Sequence, residues 1–166
     1  MSDIAVREVT MDDVIDITKI YNHYVENTTI TFDLVLSTEE EMAERITGIM
    51  KTYPFLVITE DDEVVGFAYA SQWKDKAAYQ FCAETTIYLH PNAVSKGLGL
   101  RLYNALLAAL PLFDIATVIG CITIPNPESI ALHEKLGFKK VGEFDHVGFK
   151  FEKWINVGYW QKHILG

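Results

Sequence analysis

The stretch from His90 to Arg101 constrains the fold more than any other part of the chain, because it closes a strand-like run and opens a helical one with glycines at the junction. Backbone N–H groups at a helix N-terminus carry partial positive charge, and glycines let the main chain approach an anion closely. Val94, Ser95, Lys96, Gly97, Leu98, Gly99 and Leu100 therefore form a candidate cradle for a pyrophosphate. The spacing fits neither a Walker A loop, which needs Gly-Lys-Ser/Thr together, nor the dinucleotide fingerprint, which needs a third glycine. An ordinary strand-to-helix turn produces the same glycine pair, so the remainder of the chain must decide between the two readings.

The pattern around this junction alternates between periods of two and of 3.6 residues. Ala5 to Val9 reads as a strand, and Thr10 with Asp13 starts a helix running to about Val25. Ser37 and Glu40 have capping-box spacing, which predicts a second helix over Thr38 to Lys51. Phe55 to Glu60 and Val64 to Ser71 flank the turn-like pair Asp61 and Asp62, predicting a hairpin, and a long strand follows over Tyr79 to Leu89. A helix from Leu98 ends near Pro111, Thr117 to Ile124 is β-rich, and a helix begins at Pro127 and ends at Gly137. Lys139 to Phe144 and Gly148 to Lys162 read as a final strand pair. The order β-α-α-β-β-β-α-β-α-β-β has no repeats and no linker, so one domain over residues 1–166 is expected.

At 166 residues, such a chain buries roughly two-thirds of its unfolded surface. The net charge of −9 opposes attachment to nucleic acid or an anionic membrane, so an anionic ligand must be held by local groups. No apolar run approaches membrane-spanning length, and Met1 to Ile4 do not open a signal peptide, which leaves a cytoplasmic location as the expectation. Cys82 and Cys121 lack the spacing of a zinc site and are expected to be reduced, and no metal is expected.

The elements in this order, the Val94 to Gly99 loop after a long strand, and the later run Asn126 to Phe138 resemble the GNAT superfamily of acetyl-CoA-dependent N-acetyltransferases. Within it the chain is similar to the phosphinothricin acetyltransferase family. The marks are Ile20 to Thr29, Ala78-Tyr79, Glu84 to Tyr88, Leu132-His133-Glu134, Val147 to Lys150, Trp154 and Tyr159-Trp160-Gln161. The resemblance implies an α/β (α+β) GNAT fold, a mixed, mostly antiparallel sheet of about seven strands flanked by four helices. It also implies acetyl-CoA as cosubstrate, a small amino-acid-like amine as acceptor and a homodimer. Val94 stands where the superfamily usually has Gln or Arg, and Leu100 where a small hydroxyl residue is common, so weaker cofactor affinity is expected.

Attack of an amine on a thioester needs the neutral amine, hence a base, and the departing thiolate needs a proton. Glu84 is the leading base, on one strand face with Thr86 and Tyr88; a solvated edge-strand glutamate or an ion pair with lysine is the competing reading. His133 occupies a position near the cofactor sulfur in the resemblance, and it competes with a satisfied packing histidine. Tyr88 completes the candidate catalytic set. Asn126 and Ser129 are expected near the pantetheine arm, Asn126 being equally a helix cap. The resemblance implies that Ile87 and Leu89 supply main-chain contacts to that arm, in the manner of an added strand. It also brings Thr29, Phe32, Lys74 and Tyr79 to the acceptor site. The rival functions are acetylation of a polyamine, aminoglycoside or peptide N-terminus, and a non-catalytic acyl-CoA sensor.

Overall fold

The computed structural model describes residues 1–165. Seven strands and four helices follow in the order expected: β1 (Ile4–Glu8), α1 (Val14–Asn27), α2 (Glu39–Met50), β2 (Phe55–Glu60), β3 (Glu63–Gln72), β4 (Cys82–Leu89), α3 (Leu98–Ala109), β5 (Thr117–Ile124), α4 (Pro127–Lys135), β6 (Lys139–Lys150) and β7 (Lys153–His163). The strands form one sheet in the order β1-β2-β3-β4-β5-β7-β6. Every neighbouring pair is antiparallel except β4 and β5.

Two apolar clusters sandwich the sheet. On one face Ile17, Tyr21 and Val25 of α1 and Met42 and Ile46 of α2 pack on Phe55, Val57, Phe67 and Tyr69. On the other, Leu102, Tyr103, Leu106 and Leu110 pack on Ile58, Ala68, Ala83, Val118, Ile122 and Trp160. Strand alternation sends successive residues of each central strand to opposite clusters, which is why β2 and the middle of β3 are apolar nearly throughout.

Several boundaries differ from the expectation, each for a local reason. The capping box of α2 is Thr38 with Glu41, one residue later than the spacing of Ser37 and Glu40 suggested. Both ends of the Ser37 peptide are tied instead to the Asn22 amide, at 2.8 and 2.9 Å. β4 starts at Cys82 because Ala77–Tyr79 make a 3₁₀ turn. β6 runs on past Phe144 through a bulge around His146 (φ 53°), and the hairpin turns at Phe151 and Glu152 (φ 55° and 60°).

The feature that positions a site is the short parallel ladder. β4 and β5 pair only from Cys82 with Thr117 to Thr85 with Gly120, and then part. Beyond Thr85 β4 still pairs with β3, so its other edge has no strand beside it. The glycine loop follows at the open end of this wedge.

Candidate active site

A groove of about 410 Å³ runs along the wedge, lined by Ile87, Tyr88, Leu89, Val94, Ser95, Gly97, Gly99, Leu100, Asn126 and Ser129, with Lys135 at its wall. Among the described residues, the N–H groups of Val94 to Leu100 have no protein acceptor. The loop reaches this arrangement through left-handed residues, Ser95 at φ 65° and Gly97 at φ 77°. Gly97 is the N-cap of α3, so the free amides gather at a helix N-terminus, where a doubly charged group is stabilised. Side chains contribute less. Leu98 is buried in the core, Lys96 lies 3.8 Å from Glu60, and Arg101 donates to the Ile4 carbonyl at 3.1 Å.

At the edge of β4, the carbonyl of Leu89 already accepts a hydrogen bond from the Tyr24 hydroxyl. Asn126 caps α4 by accepting from the Ser129 N–H at 3.3 Å, while its side chain also borders the groove. Asn126 is thus the cap of α4 and also borders the groove.

A second cavity, of about 240 Å³, joins the groove at the point where the strands part. Its wall includes Glu84, Thr85, Thr86, Tyr88, Cys121, Thr123, Ser129, His133 and Phe32. The alternation of β4 and β5 sets Glu84, Cys121 and Thr123 on one face of the sheet. The α1–α2 connection closes this face: the buried Lys150 ammonium donates to the Thr31 carbonyl at 2.8 Å, and the Phe32 ring lies over Gly148, where an added Cβ would collide with it. Burial pushes the Glu84 carboxyl above its ordinary pKa, against the pull of the Cys121 thiol, Lys74 and Arg45. The same packing, with the Glu84 charge, pushes Cys121 up to about 12, so it stays a thiol.

His133 lies on the opposite face. Its Nδ1 is 2.8 Å from the Ser129 carbonyl, which only accepts, so Nδ1 carries the proton. Nε2 then accepts from the Tyr103 hydroxyl at 2.9 Å, and Tyr103 in turn meets Thr85 at 2.5 Å. Burial lowers the imidazole pKa and keeps it neutral. The chain of bonds ties β4, α3 and α4 together at the vertex of the wedge. Tyr103 and Thr85 could not be singled out beforehand, because an apolar helix face with one Tyr reads only as core.

The remaining expected residues divide. Lys74 is near enough to attract Glu84, and its Nζ sits 4.9 Å from the Trp73 ring, which meets Tyr159 edge-on at 5.9 Å. Tyr88 packs against Tyr21 and Tyr24 between groove and cavity, and burial raises its pKa strongly. Thr29 and the exposed Tyr79 lie outside both walls. A further hollow, about 560 Å³, lies elsewhere, against Asp16, Lys19, Glu60, His90 and Lys96, and Glu84 takes no part in it. The described residues contain no cluster of three metal-ligating side chains.

Comparison with known proteins places this geometry in context. Residues 6–157 match the acetyltransferase (GNAT) domain. The phosphinothricin N-acetyltransferase of Streptomyces viridochromogenes is 33% identical over 159 residues, covering 96% of this chain and 87% of the relative. An L-methionine sulfoximine/L-methionine sulfone acetyltransferase of Salmonella typhimurium is 30% identical, over 89% of this chain and 87% of its own. A phosphinothricin acetyltransferase from Sinorhizobium meliloti, crystallised with acetyl-CoA, superposes with a TM-score of 0.93 at 34% identity, covering 96% of this chain and 88% of that one.

Proposed function

The chain belongs to the GNAT acetyltransferase family and is an acetyl-CoA-dependent N-acetyltransferase; from that premise we propose that its acceptor is the primary amine of a small amino acid of the phosphinothricin, methionine sulfoximine or methionine sulfone type. The observation that carries this reading is Glu84, a carboxylate of raised basicity at the vertex of the wedge, in a cavity of about 240 Å³ that suits a small acceptor. Lys74 beside it favours an acceptor that bears an anionic group and disfavours polyamines and aminoglycosides.

Bound acetyl-CoA supplies an activated acetyl group and a thiolate leaving group. The free amides of Val94 to Leu100 fit its pyrophosphate, with Gly97 and Gly99 allowing close approach, and the open edge of β4 at Ile87 and Leu89 fits the amides of its pantetheine arm. Asn126 and Ser129 border that arm. Glu84 takes the proton from the acceptor nitrogen, directly or through one water, and burial makes it a better base than an exposed glutamate. Tyr88, which lines both groove and cavity, is the candidate hydroxyl for returning a proton to the leaving sulfur, and the burial that raises its pKa makes it a weak acid until the thiolate forms beside it. His133, neutral and bonded at both nitrogens, acts by orienting Ser129 and holding the vertex.

The loop around Phe32 and the β6–β7 hairpin both expose large apolar side chains, including Leu34, Val35, Phe144, Phe149 and Trp154. This supports a homodimer, with the second copy covering the acceptor side. The net charge of −9 fits a small-molecule acceptor rather than nucleic acid or membrane, and a cytoplasmic place of action agrees with the supply of acetyl-CoA. The test is thiol release from acetyl-CoA with a panel of amines. Turnover of L-phosphinothricin or methionine sulfone is expected; turnover of aminoglycosides or peptide N-termini alone contradicts the acceptor class, and acetyl-CoA binding with no turnover of any amine would mark a sensor.

A further inference from the structure

Five threonine and serine side chains line the cavity that holds Glu84: Thr31, Thr85, Thr86, Thr123 and Ser129. Three have partners inside the protein: Thr31 meets the Tyr21 hydroxyl at 3.0 Å, Thr85 meets Tyr103 at 2.5 Å, and Ser129 Oγ lies 3.4 Å from His133 Nδ1. Thr86 is only half-buried and keeps access to solvent. Thr123 has neither. Among the described residues Thr123 Oγ1 is the buried side-chain polar atom without a hydrogen-bond partner, and Thr123 is only 8% exposed.

A buried hydroxyl left alone burdens the empty protein, because it has given up water and gained nothing. Its surroundings say what restores the balance. Thr123 follows Cys121 by two residues on β5, so its side chain shares the face of Cys121 and Glu84. Several residues, Ile87, Tyr88, Asn126 and Ser129 among them, line both the cofactor groove and the cavity, but Thr123 lines the cavity alone. Lys74, the cation near Glu84, follows β3 at the end of the cavity away from the glycine loop, whereas Thr123 lies toward that loop. The two groups thus flank Glu84 along the strand direction.

We propose that Thr123 is a specificity-determining contact for the acetyl acceptor, its hydroxyl donating a hydrogen bond to an oxygen atom of the acceptor while Glu84 faces the acceptor's nitrogen. The inference rests on the function proposed above. It adds that the acceptor carries an oxygen within reach of the amine in addition to the anionic group drawn to Lys74, and that Thr123 discriminates against analogues lacking it.

Steady-state kinetics of the Thr123→Val and Thr123→Ser variants test this, with methionine sulfone as acceptor, alongside thermal melting of each protein without ligands. Valine keeps the shape and removes the hydroxyl. The KM for methionine sulfone should rise about tenfold in Thr123→Val, with the KM for acetyl-CoA unchanged and the melting temperature equal to or above that of the wild type. Thr123→Ser should recover most of the acceptor affinity. An unchanged acceptor KM, a rise confined to acetyl-CoA, or a lowered melting temperature overturns the assignment. Wild-type turnover is read separately: if methionine sulfone is not acetylated, the acceptor class fails, and the same comparison is made with the amine that is turned over fastest. Turnover of no amine overturns both.

Discussion

Gly120 lies so close beneath the His133 imidazole that a Cβ at this position would stand 2.7 Å from the ring. The last rung of the parallel ladder, Thr85 with Gly120, therefore also fixes the height of α4 above the sheet. Gly120→Ala should cost about 1–3 kcal/mol by overpacking. It should also weaken acetyl-CoA binding, since His133 and Ser129 move together. Chemical denaturation and calorimetric titration with acetyl-CoA check the two effects.

Burial holds the His133 pKa below its ordinary value, while in the unfolded chain it returns to about 6.5. Between those values the unfolded state binds the extra proton, so the stabilisation is complete above about pH 6.5 and is lost as the pH falls. Urea melts at pH 7.5 and pH 5.5 should show a smaller loss for His133→Gln than for the wild type. An identical loss contradicts a neutral, buried imidazole.

Nothing lies within 4 Å of a Cβ built on Gly97, so its constraint is purely the backbone, at φ 77°. Gly97→Val should cost about 1–2 kcal/mol through the left-handed conformation. By distorting the free amides, it should raise the KM for acetyl-CoA while the KM for the acceptor stays near the wild-type value. Measuring both constants separates the cradle from the acceptor cavity.

Much of the fold was legible because its signals are local. The Asp61-Asp62 turn was readable, since aspartate tolerates the φ of 51° and 69° found there. The turn at Phe151 and Glu152 was not, because neither residue type announces a positive φ and the closing ladder of β6 and β7 imposes it. Ser37 and Thr38 were equally good caps until the Asn22 amide, fifteen residues away, took the Ser37 peptide. The site divides similarly. Glu84 and the glycine loop stand on elements that the sequence announces, although residue type alone left a solvated glutamate and an ordinary turn open and the family resemblance singled them out, whereas the partners of Lys96 and Arg101, the Thr85–Tyr103–His133 chain and the orphaned Thr123 hydroxyl arise from contacts between distant segments.

If Glu84 must be ionised to accept a proton, activity falls as the pH drops through its pKa, and burial places that limb above the ordinary carboxylate range. Lys74 partly offsets burial by attracting the charge. The acidic limb of kcat/KM should therefore move to still higher pH in Lys74→Met. A limb that stays in place shows that Lys74 does not act on the base.

Single-turnover acetylation by Glu84→Gln, with acetyl-CoA affinity measured on the same protein, tests the assignment of the base most directly. The rate constant for acetyl transfer should drop by about 10²–10⁴, the acetyl-CoA Kd should stay within about twofold of the wild type, and the acidic limb should disappear. A variant that transfers acetyl at the wild-type rate, or retains the wild-type pH profile, contradicts it.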